Sequence, residues 1–165
     1  MGKRSTKENK NVYQISRESL GLTREAASEE LVFFSPERIE KIESGRSAAH
    51  PDEVLTMEGC YRNPELSNWF CTHECPIGMK YEQEVKLKSL AQVTVEMLAA
   101  LNAMEREKDR LIAISVDGRV NDFERRDFDR ILEKLQAIDR SIRSMQIWLE
   151  HALQTGKIDE AEEQN

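Results

Sequence analysis

Three side chains of the kinds that bind zinc lie within five residues of one another. Cys71, His73 and Cys75 alternate with single residues, and Cys60 lies about one helix earlier in the chain. Thiolate and imidazole groups are preferred zinc ligands, so a site of three cysteines and one histidine is chemically conceivable. The spacing is not that of a standard zinc knuckle, and a cysteine in an apolar-periodic helix is more often a small buried hydrophobe. Buried cysteines are therefore the favoured interpretation, with a zinc site and a redox-responsive thiol pair as alternatives.

A second set of candidate side chains is charged and lies in a segment with helical periodicity. Ile39 and Ile42 are three positions apart, so they share one face of a helix, which we expect to be the buried face. The outer face then carries the charged residues Glu37, Arg38, Glu40 and Lys41. Such a row can contact a ligand, but for any single residue a hydrated surface charge is an equally good interpretation.

Capping residues define two short helices that would position these charges. Thr23 can accept a hydrogen bond from an orphan amide of a helix that ends at Leu31. Ser35 and Pro36 begin the next helix, because a hydroxyl suits the N-cap and proline suits the first helical position. Gly45 ends that helix. Two short helices joined by a tight turn predict a helix-turn-helix unit, whose second helix can lie in a DNA major groove.

At these residues the chain resembles the Cro and phage-repressor type (XRE-type) of helix-turn-helix transcription regulator, from about Val12 to Phe70. The matching residues are Leu20-Gly21-Leu22-Thr23 before the first helix of the pair, Ala26-Ala27 inside it, and Ser35-Pro36-x-x-Ile39-x-x-Ile42-Glu43-Ser44-Gly45-Arg46 in and after the second. One departure is the turn, where Val32-Phe33-Phe34 precedes Ser35 and the family more often has two residues. We therefore expect the second helix to lie at an altered angle.

The resemblance implies a set of DNA-contacting residues. It places Pro36, Glu37 and Lys41 opposite the bases, where Lys41 would donate to guanine and Glu37 would accept from the N4 amino group of cytosine. It places three residues at phosphates, namely Arg24, Arg46 and Ser47. The complete predicted DNA-binding set is Arg24, Ser35, Pro36, Glu37, Arg38, Lys41, Arg46 and Ser47.

Length and composition bound the class of protein. With 165 residues, of which 39% are hydrophobic and 33% charged, the chain can hold one or two small domains but no large enzyme fold. Neither a nucleophile-base pair nor a phosphate-binding glycine loop is recognisable, so we expect no enzyme and no cofactor. No apolar run approaches the roughly 20 residues of a membrane span, and the N-terminus lacks a hydrophobic signal core. These features, with an odd number of cysteines, predict a soluble cytoplasmic protein without a membrane partner.

The charge distribution argues against strong non-specific DNA binding. The formal net charge is −7, and the stretch from Met1 to Arg62 holds 10 basic and 11 acidic residues. The phosphate contribution to affinity needs a concentrated positive face, which this stretch lacks. A dimer would compensate by doubling the number of DNA contacts.

The sequence predicts an all-α chain in four segments. Residues 1–11 form a disordered basic arm, and residues 12–79 form a five-helix domain that contains the helix-turn-helix unit. Residues 80–155 form a long antiparallel helical hairpin of coiled-coil type, and residues 156–165 form an acidic disordered tail. Within the first domain, Ile15 and Leu20 are expected to point inward.

The predicted hairpin rests on apolar residues at alternating spacings of three and four. Asp117 and Gly118 interrupt the pattern, and Asn121 with Glu124 forms a capping-box-like restart. The predicted inner seam is Leu87, Leu90, Thr94, Met97, Leu101, Met104, Lys108 and Leu111 on the first helix, and Phe128, Ile131, Leu135, Ile138, Ile142, Met145, Leu149 and Ala152 on the second. The predicted outer flank, which needs a partner, is Val93, Leu98, Ile112, Ile114, Leu132, Trp148 and Leu153. A homodimer through residues of about Lys86 to Leu153 would cover it.

Together these features predict a sequence-specific DNA-binding transcription regulator, a repressor that acts as a homodimer on double-stranded DNA. Two alternatives stay open at this point. One is a helix-turn-helix scaffold that binds a protein partner without binding DNA, which would suit the acidic Glu37 and Glu40. The other is a thiol- or metal-gated sensor that uses Cys60 and the Cys71–Cys75 cluster.

Overall fold

The computed structural model describes residues 10–158, and the helical class predicted from the sequence is confirmed over that range. Most of the predicted basic arm, residues 1–9, and of the acidic tail, residues 159–165, lies outside the described residues. The described part contains nine helices and no strand. The helices are α1 (Val12–Ser19), α2 (Arg24–Leu31), α3 (Pro36–Glu43), α4 (Pro51–Tyr61), α5 (Leu66–His73), α6 (Pro76–Tyr81), α7 (Leu90–Glu105), α8 (Lys108–Ser115) and α9 (Arg125–Gln154).

The predicted caps of α2 and α3 are confirmed. The Thr23 hydroxyl accepts a hydrogen bond from the Ala26 amide at 3.1 Å, and the Ser35 hydroxyl accepts one from the Arg38 amide at 3.2 Å. Pro36 occupies the start of α3. Gly45, just past the end of α3, has a φ of +72°, a left-handed conformation that glycine adopts without steric cost. The local chemistry of these residues therefore determines where both helices begin and end.

The described residues divide into two compact units. The first, here called the N-terminal unit, comprises the described residues up to Glu84 together with those from Glu150 onward, and the second, the helical unit, comprises Val85–Leu149.

The N-terminal unit is built around one apolar core. Its centre consists of residues that are almost fully buried, namely Tyr13, Ala27, Leu31, Ile39, Ile42, Val54, Met57, Tyr61 and Leu66. The prediction that Ile15 and Leu20 point inward is wrong, because Ile15 is 54% exposed and Leu20 is 42% exposed. In α1 it is Tyr13 and the polar residues Gln14, Ser16 and Arg17 that are buried.

The end of the N-terminal unit also differs from the prediction. Five helices were predicted for this domain, but Pro76 begins a sixth helix, α6, in which proline again occupies the first turn. Gly78 allows α6 to approach α5 very closely, because a Cβ atom at this position would lie 2.2 Å from the carbonyl oxygen of Cys71.

In the helical unit, the first predicted helix is shorter and interrupted. It begins at Leu90, after the N-cap Ser89, and residues 106–107 separate α7 from α8. The predicted capping box is confirmed, since the Asn121 side chain accepts from the Glu124 amide at 3.1 Å and the Glu124 carboxylate accepts from the Asn121 amide at 3.2 Å. Two ion pairs join α8 and its N-cap to α9, namely Arg110 with Asp127 and Glu107 with Arg130. The earlier residue of the first segment pairs with the later residue of α9, as in an antiparallel arrangement.

The assignment of the inner seam was partly wrong. Several of its predicted members are between 42% and 46% exposed, namely Leu90, Leu101, Leu135, Ile142 and Leu149. Conversely, Val93 and Ile114 were predicted on the outer flank and are buried, whereas Leu98, Ile112, Leu132 and Leu153 of that flank are exposed as expected. Apolar residues on both flanks of a helix fit two seams equally well, so the pattern alone does not select the buried one.

No helix within residues 10–158 is both long enough and apolar enough to cross a membrane.

Candidate nucleic-acid interface

Helix α3 presents one buried and one exposed face, as the periodicity predicted. Ile39 and Ile42 are 0% and 2% exposed, whereas Glu37 and Lys41 lie on the exposed side. Pro36 at the start of the helix is half-buried. A capped helix with charged side chains on its outer face could present them to base edges in a major groove.

Arg24, one of the predicted phosphate contacts, forms an ion pair with a carboxylate of the same unit. Its Nε atom donates to Oε2 of Glu43 at 2.8 Å. The same carboxylate accepts from Arg17 Nε at 2.6 Å and from Arg17 Nη2 at 3.0 Å. The side chains of Glu43 and Arg17 are only 1% and 6% exposed. This triad ties α1, the start of α2 and the end of α3 together.

Sequence reasoning missed the role of Arg17 and Glu43. The sequence identifies Glu43 only as a residue that matches the family pattern, and it indicates no role for Arg17. A buried arginine in an otherwise apolar core needs a buried anion, since an unpaired charge is costly to remove from water. The spacing of 26 positions between the two residues carries no local pattern that could have indicated their pairing.

Arg38 also takes part in an intramolecular network. Its guanidinium donates to both carboxylate oxygens of Glu53, to the Ser47 hydroxyl at 2.6 Å and to the Ala48 carbonyl at 2.9 Å. Glu53 in turn accepts from the His50 amide at 2.7 Å, which caps α4. The structure thus brings together Arg38 and Ser47, two members of the predicted DNA-binding set, in a contact that fixes the segment between α3 and α4.

Arg46, three residues past the end of α3, has a mostly exposed side chain that is nonetheless paired. Its guanidinium forms an ion pair with Glu40, and its Nε donates to the Ser44 hydroxyl at 3.0 Å. The arginine side chain is 62% exposed, so it is accessible to a ligand that displaces Glu40.

Lys41 is the cation of the predicted set that forms no ion pair with any described residue. It is exposed one turn after Glu37, the predicted acceptor for cytosine. Hydrogen bonding to the Ser35 side chain, followed by the backbone amide of Glu37 itself, lowers the pKa of the Glu37 carboxyl, so Glu37 is charged at neutral pH. The exposed face of α3 therefore offers one strong donor and one strong acceptor rather than a positive surface.

The turn between α2 and α3 forms an apolar tip that sequence analysis noted only as a lengthened turn. Val32 and Phe33 are 75% and 90% exposed, whereas Phe34 is buried and its carbonyl accepts from the Ser28 hydroxyl. Val32 has a φ of +55°, which is strained for a β-branched residue. Two large apolar side chains are thus exposed beside the start of α3.

The four candidate metal ligands are not gathered into one site. Cys60 donates to Glu30 at 3.4 Å, and burial followed by this hydrogen bond raises the pKa of its thiol to about 11. The His73 ring stacks on Trp69 with centroids 4.8 Å apart, and its Nδ1 lies 3.0 Å from the Trp69 carbonyl. Cys71 and Cys75 are partly buried, take part in no disulfide and pack against the core. Among the described residues, no group of three or more His, Cys, Asp or Glu side chains has the arrangement of a metal site.

No protein-family model matches the chain, and neither a curated protein nor a solved structure matches it.

Proposed function

We propose that this protein is a sequence-specific DNA-binding transcription regulator of the helix-turn-helix type. Helix α2 would cross the DNA backbone, and α3 would lie in the major groove. The observation that carries the proposal is the exposed face of α3, where Glu37 and Lys41 project from a helix with a capped start and a buried opposite side. The resemblance of residues 12–70 to XRE-type regulators supports the same assignment.

The proposed mechanism relies on base edges more than on phosphates. Lys41 would donate to guanine, and Glu37 would accept from cytosine. Arg24, Arg38 and Arg46 are all paired with carboxylates, so they add little free positive charge. Binding should therefore depend only weakly on salt, because few counterions are released from the DNA. Two copies would place their recognition helices one DNA turn apart, on the order of 34 Å, on a pseudo-palindromic operator.

The test begins with selection of binding sites from random DNA. We expect an enriched pseudo-palindrome, and we expect the Lys41→Ala variant to bind it about tenfold or more weakly than the wild type, because one base contact is worth on the order of 1–3 kcal/mol. Lys108→Ala is the matched control, since Lys108 is an exposed lysine of the helical unit with a 55% exposed side chain. Failure to enrich any sequence, or equal weakening by both variants, would rule the proposal out.

A second candidate function, a protein-interaction module, is favoured by two specific observations. The arginines of the presumed reading surface are neutralised by carboxylates, and Val32 and Phe33 form an exposed apolar tip beside that surface. Exposed aromatic side chains are typical anchors of protein interfaces. If this candidate is correct, Phe33→Ser should abolish retention of a cellular protein by the immobilised chain in high salt, whereas Lys41→Ala should leave it intact.

The thiol-gated alternative has less support. The raised pKa of Cys60 keeps its sulfur as a thiol at neutral pH, and the thiolate is the reactive form.

A further inference from the structure

Helix α9 carries a row of exposed apolar side chains with coiled-coil spacing. Leu135, Ile142 and Leu149 are 42%, 46% and 44% exposed, and each is seven residues from the next. Seven residues make nearly two turns, so the three side chains lie along one line. Leu132, which is 43% exposed, extends the row by one turn. From Leu132 to Leu149 the row is roughly 26 Å long.

This row is distinct from the face of α9 that is already buried. Along the same stretch the helix buries Ser141, Ser144 and Ile147, which are three residues apart and are 5%, 3% and 6% exposed. A helix with one buried face and a second apolar flank is incompletely covered, and a contiguous exposed apolar flank indicates an interaction surface.

The order of residues in the row is the same in both directions from its centre. A leucine lies seven positions before Ile142 and another seven positions after it. A twofold axis beside Ile142 therefore sets Leu135 of one copy near Leu149 of the other, and Ile142 near its own equivalent. Such a self-complementary patch is what an isologous dimer requires, since each contact then occurs twice.

Two polar residues on the same line as the apolar row favour one direction of helix pairing over the other. Asp139 and Gln146 lie between the apolar residues on the same line. With antiparallel helices, Asp139 of one copy lies near Gln146 of the other, whose amide can donate to the carboxylate. With parallel helices, Asp139 would lie beside Asp139 of the second copy. Arg143 pairs with Asp139 within the helix at 3.2 Å, but one arginine per carboxylate does not remove the repulsion between two partly dehydrated carboxylates.

We propose that this row of α9 is the surface through which two copies of the chain pair, with antiparallel α9 helices and a twofold axis near Ile142. The inference rests on the homodimer of the proposed function and deepens it by identifying the residues and the direction of the interface.

The first test measures the mass of the full-length chain in solution. In sedimentation velocity at micromolar concentration, the wild type should have about twice the chain mass of 19.1 kDa. Ile142→Asp should raise the dimer dissociation constant by roughly 100-fold or more, because the axis places two unpaired carboxylates together. Val95→Asp is the matched control and should remain dimeric. Val95 is 67% exposed on α7, two positions from the buried Val93, so it points away from the buried face.

Circular dichroism of both variants separates loss of pairing from loss of fold. A helical, monomeric Ile142→Asp variant together with a helical, dimeric Val95→Asp variant supports the inference. A monomeric wild type overturns it, as does an Ile142→Asp variant that dimerises as tightly as the wild type. Should Ile142→Asp unfold, Ile142→Ser is measured instead, and an unchanged dissociation constant for that variant likewise overturns the inference.

A second test determines the direction by disulfide formation, which requires Cβ atoms about 3.5–4.5 Å apart. Ile142→Cys alone should cross-link two copies. Leu135→Cys and Leu149→Cys should each fail alone and should cross-link when the two variants are mixed. The wild type, which contains Cys60, Cys71 and Cys75, gives the background. Efficient cross-linking of Leu135→Cys with itself would indicate parallel helices and contradict the inference.

The interface and the proposed DNA-binding function can fail independently. A dimer that Ile142→Asp dissociates but that selects no DNA sequence keeps the interface and removes the DNA-binding function. A wild-type monomer that selects a single half-site removes the interface and keeps the DNA-binding function.

Discussion

The two units of the molecule use charged residues in different ways. In the N-terminal unit, Arg17 and Glu43 are 26 positions apart in the chain and form an ion pair whose side chains are 6% and 1% exposed. In the helical unit, Arg125 and Asp129 are one turn apart on α9, and their side chains are 74% and 53% exposed. An exposed pair within one helix contributes little, whereas removing one partner of a buried pair is costly. The fold of the N-terminal unit therefore depends on a buried polar pair, whereas the Arg125–Asp129 pair contributes little to the fold of the helical unit.

The backbone shows the same contrast. In the N-terminal unit, Val32 and Arg62 have positive φ, and Gly78 lies against the backbone of α5. In the described helical unit, positive φ occurs at Gly118, where a Cβ would have nothing within 4 Å. The N-terminal unit thus tolerates fewer substitutions at positions that look unremarkable in the sequence.

Glu43→Gln should have the largest effect. The substitution preserves shape but leaves Arg17 buried without an anion and removes the partner of Arg24. We expect the free energy of unfolding of the N-terminal unit to fall by about 3–5 kcal/mol. Hydrogen exchange measured by mass spectrometry resolves the two units, and the loss should be confined to peptides of the N-terminal unit, which include those of α1 to α6.

Asp129→Asn is the control for Glu43→Gln, because it breaks an exposed pair of the other unit. It should change the opening free energy of α9 by no more than about 0.5 kcal/mol. The contrast between the units would be refuted by equal effects of the two substitutions.

Gly78→Ala should have the next largest effect. The new Cβ would overlap the Cys71 carbonyl, which belongs to the backbone and cannot rotate away as a side chain could. We expect a destabilisation of about 1–3 kcal/mol in thermal unfolding. Gly59→Ala is the matched control, since Gly59 lies inside α4 with nothing within 4 Å of the added atom. Alanine should stabilise that helix by about 0.5–1 kcal/mol. Two changes of the same sign would mean that the close approach of α6 to α5 is unimportant.

Caps and turns were the part of the fold that the sequence predicted well. Thr23, Ser35 and Gly45 act on amides or conformations within three residues of themselves, so their effect does not depend on distant parts of the chain. The same holds for the capping box of Asn121 and Glu124.

Side-chain contacts between residues that are far apart in the sequence could not be predicted. Arg38 was expected on the DNA-facing surface, but Glu53 and the Ala48 carbonyl bind its guanidinium, and both come into reach only once α3 and α4 have packed. The prediction of which residues form the buried seam of the helical unit was partly wrong for a related reason. Leu135 and Val93 both fit a heptad pattern, and only tertiary packing decides that Val93 is buried and Leu135 exposed.

Val32→Gly should produce a smaller change of opposite sign. Glycine adopts a φ of +55° without the steric cost that valine bears, and Val32 is 75% exposed, so little packing is lost. After allowance for the greater entropy of unfolded glycine, we expect stabilisation by about 0.5–1 kcal/mol, measured as a higher Tm. Val116→Gly is the control, because Val116 is 82% exposed but has a helical φ of −59°. It should destabilise the chain, and stabilisation by both variants would contradict the assignment of strain to Val32.

The smallest expected effect concerns pH and the Arg38–Glu53 pair. Burial alone would raise the pKa of the Glu53 carboxyl, but hydrogen bonds from Arg38 and the His50 amide outweigh burial and lower it. A carboxyl with a lowered pKa in the folded state stabilises the fold above its unfolded pKa, about 4.3, and this contribution is lost as the pH falls through the folded pKa. Glu53→Gln should therefore lower stability by on the order of 0.5–1 kcal/mol at pH 7 and by progressively less below about pH 4. Urea unfolding at a series of pH values measures the difference.

The choice of glutamine makes the Glu53 experiment specific to charge. Its side-chain oxygen can still accept from the His50 amide, so the cap of α4 is retained while the ionic contact with Arg38 is lost. In an Arg38→Gln background, Glu53→Gln should have a smaller effect, because the two substitutions remove the same interaction. If the pH dependence of Glu53→Gln equals that of the wild type, or if the two substitutions are fully additive, the ion pair contributes nothing to the stability of the segment that follows α3.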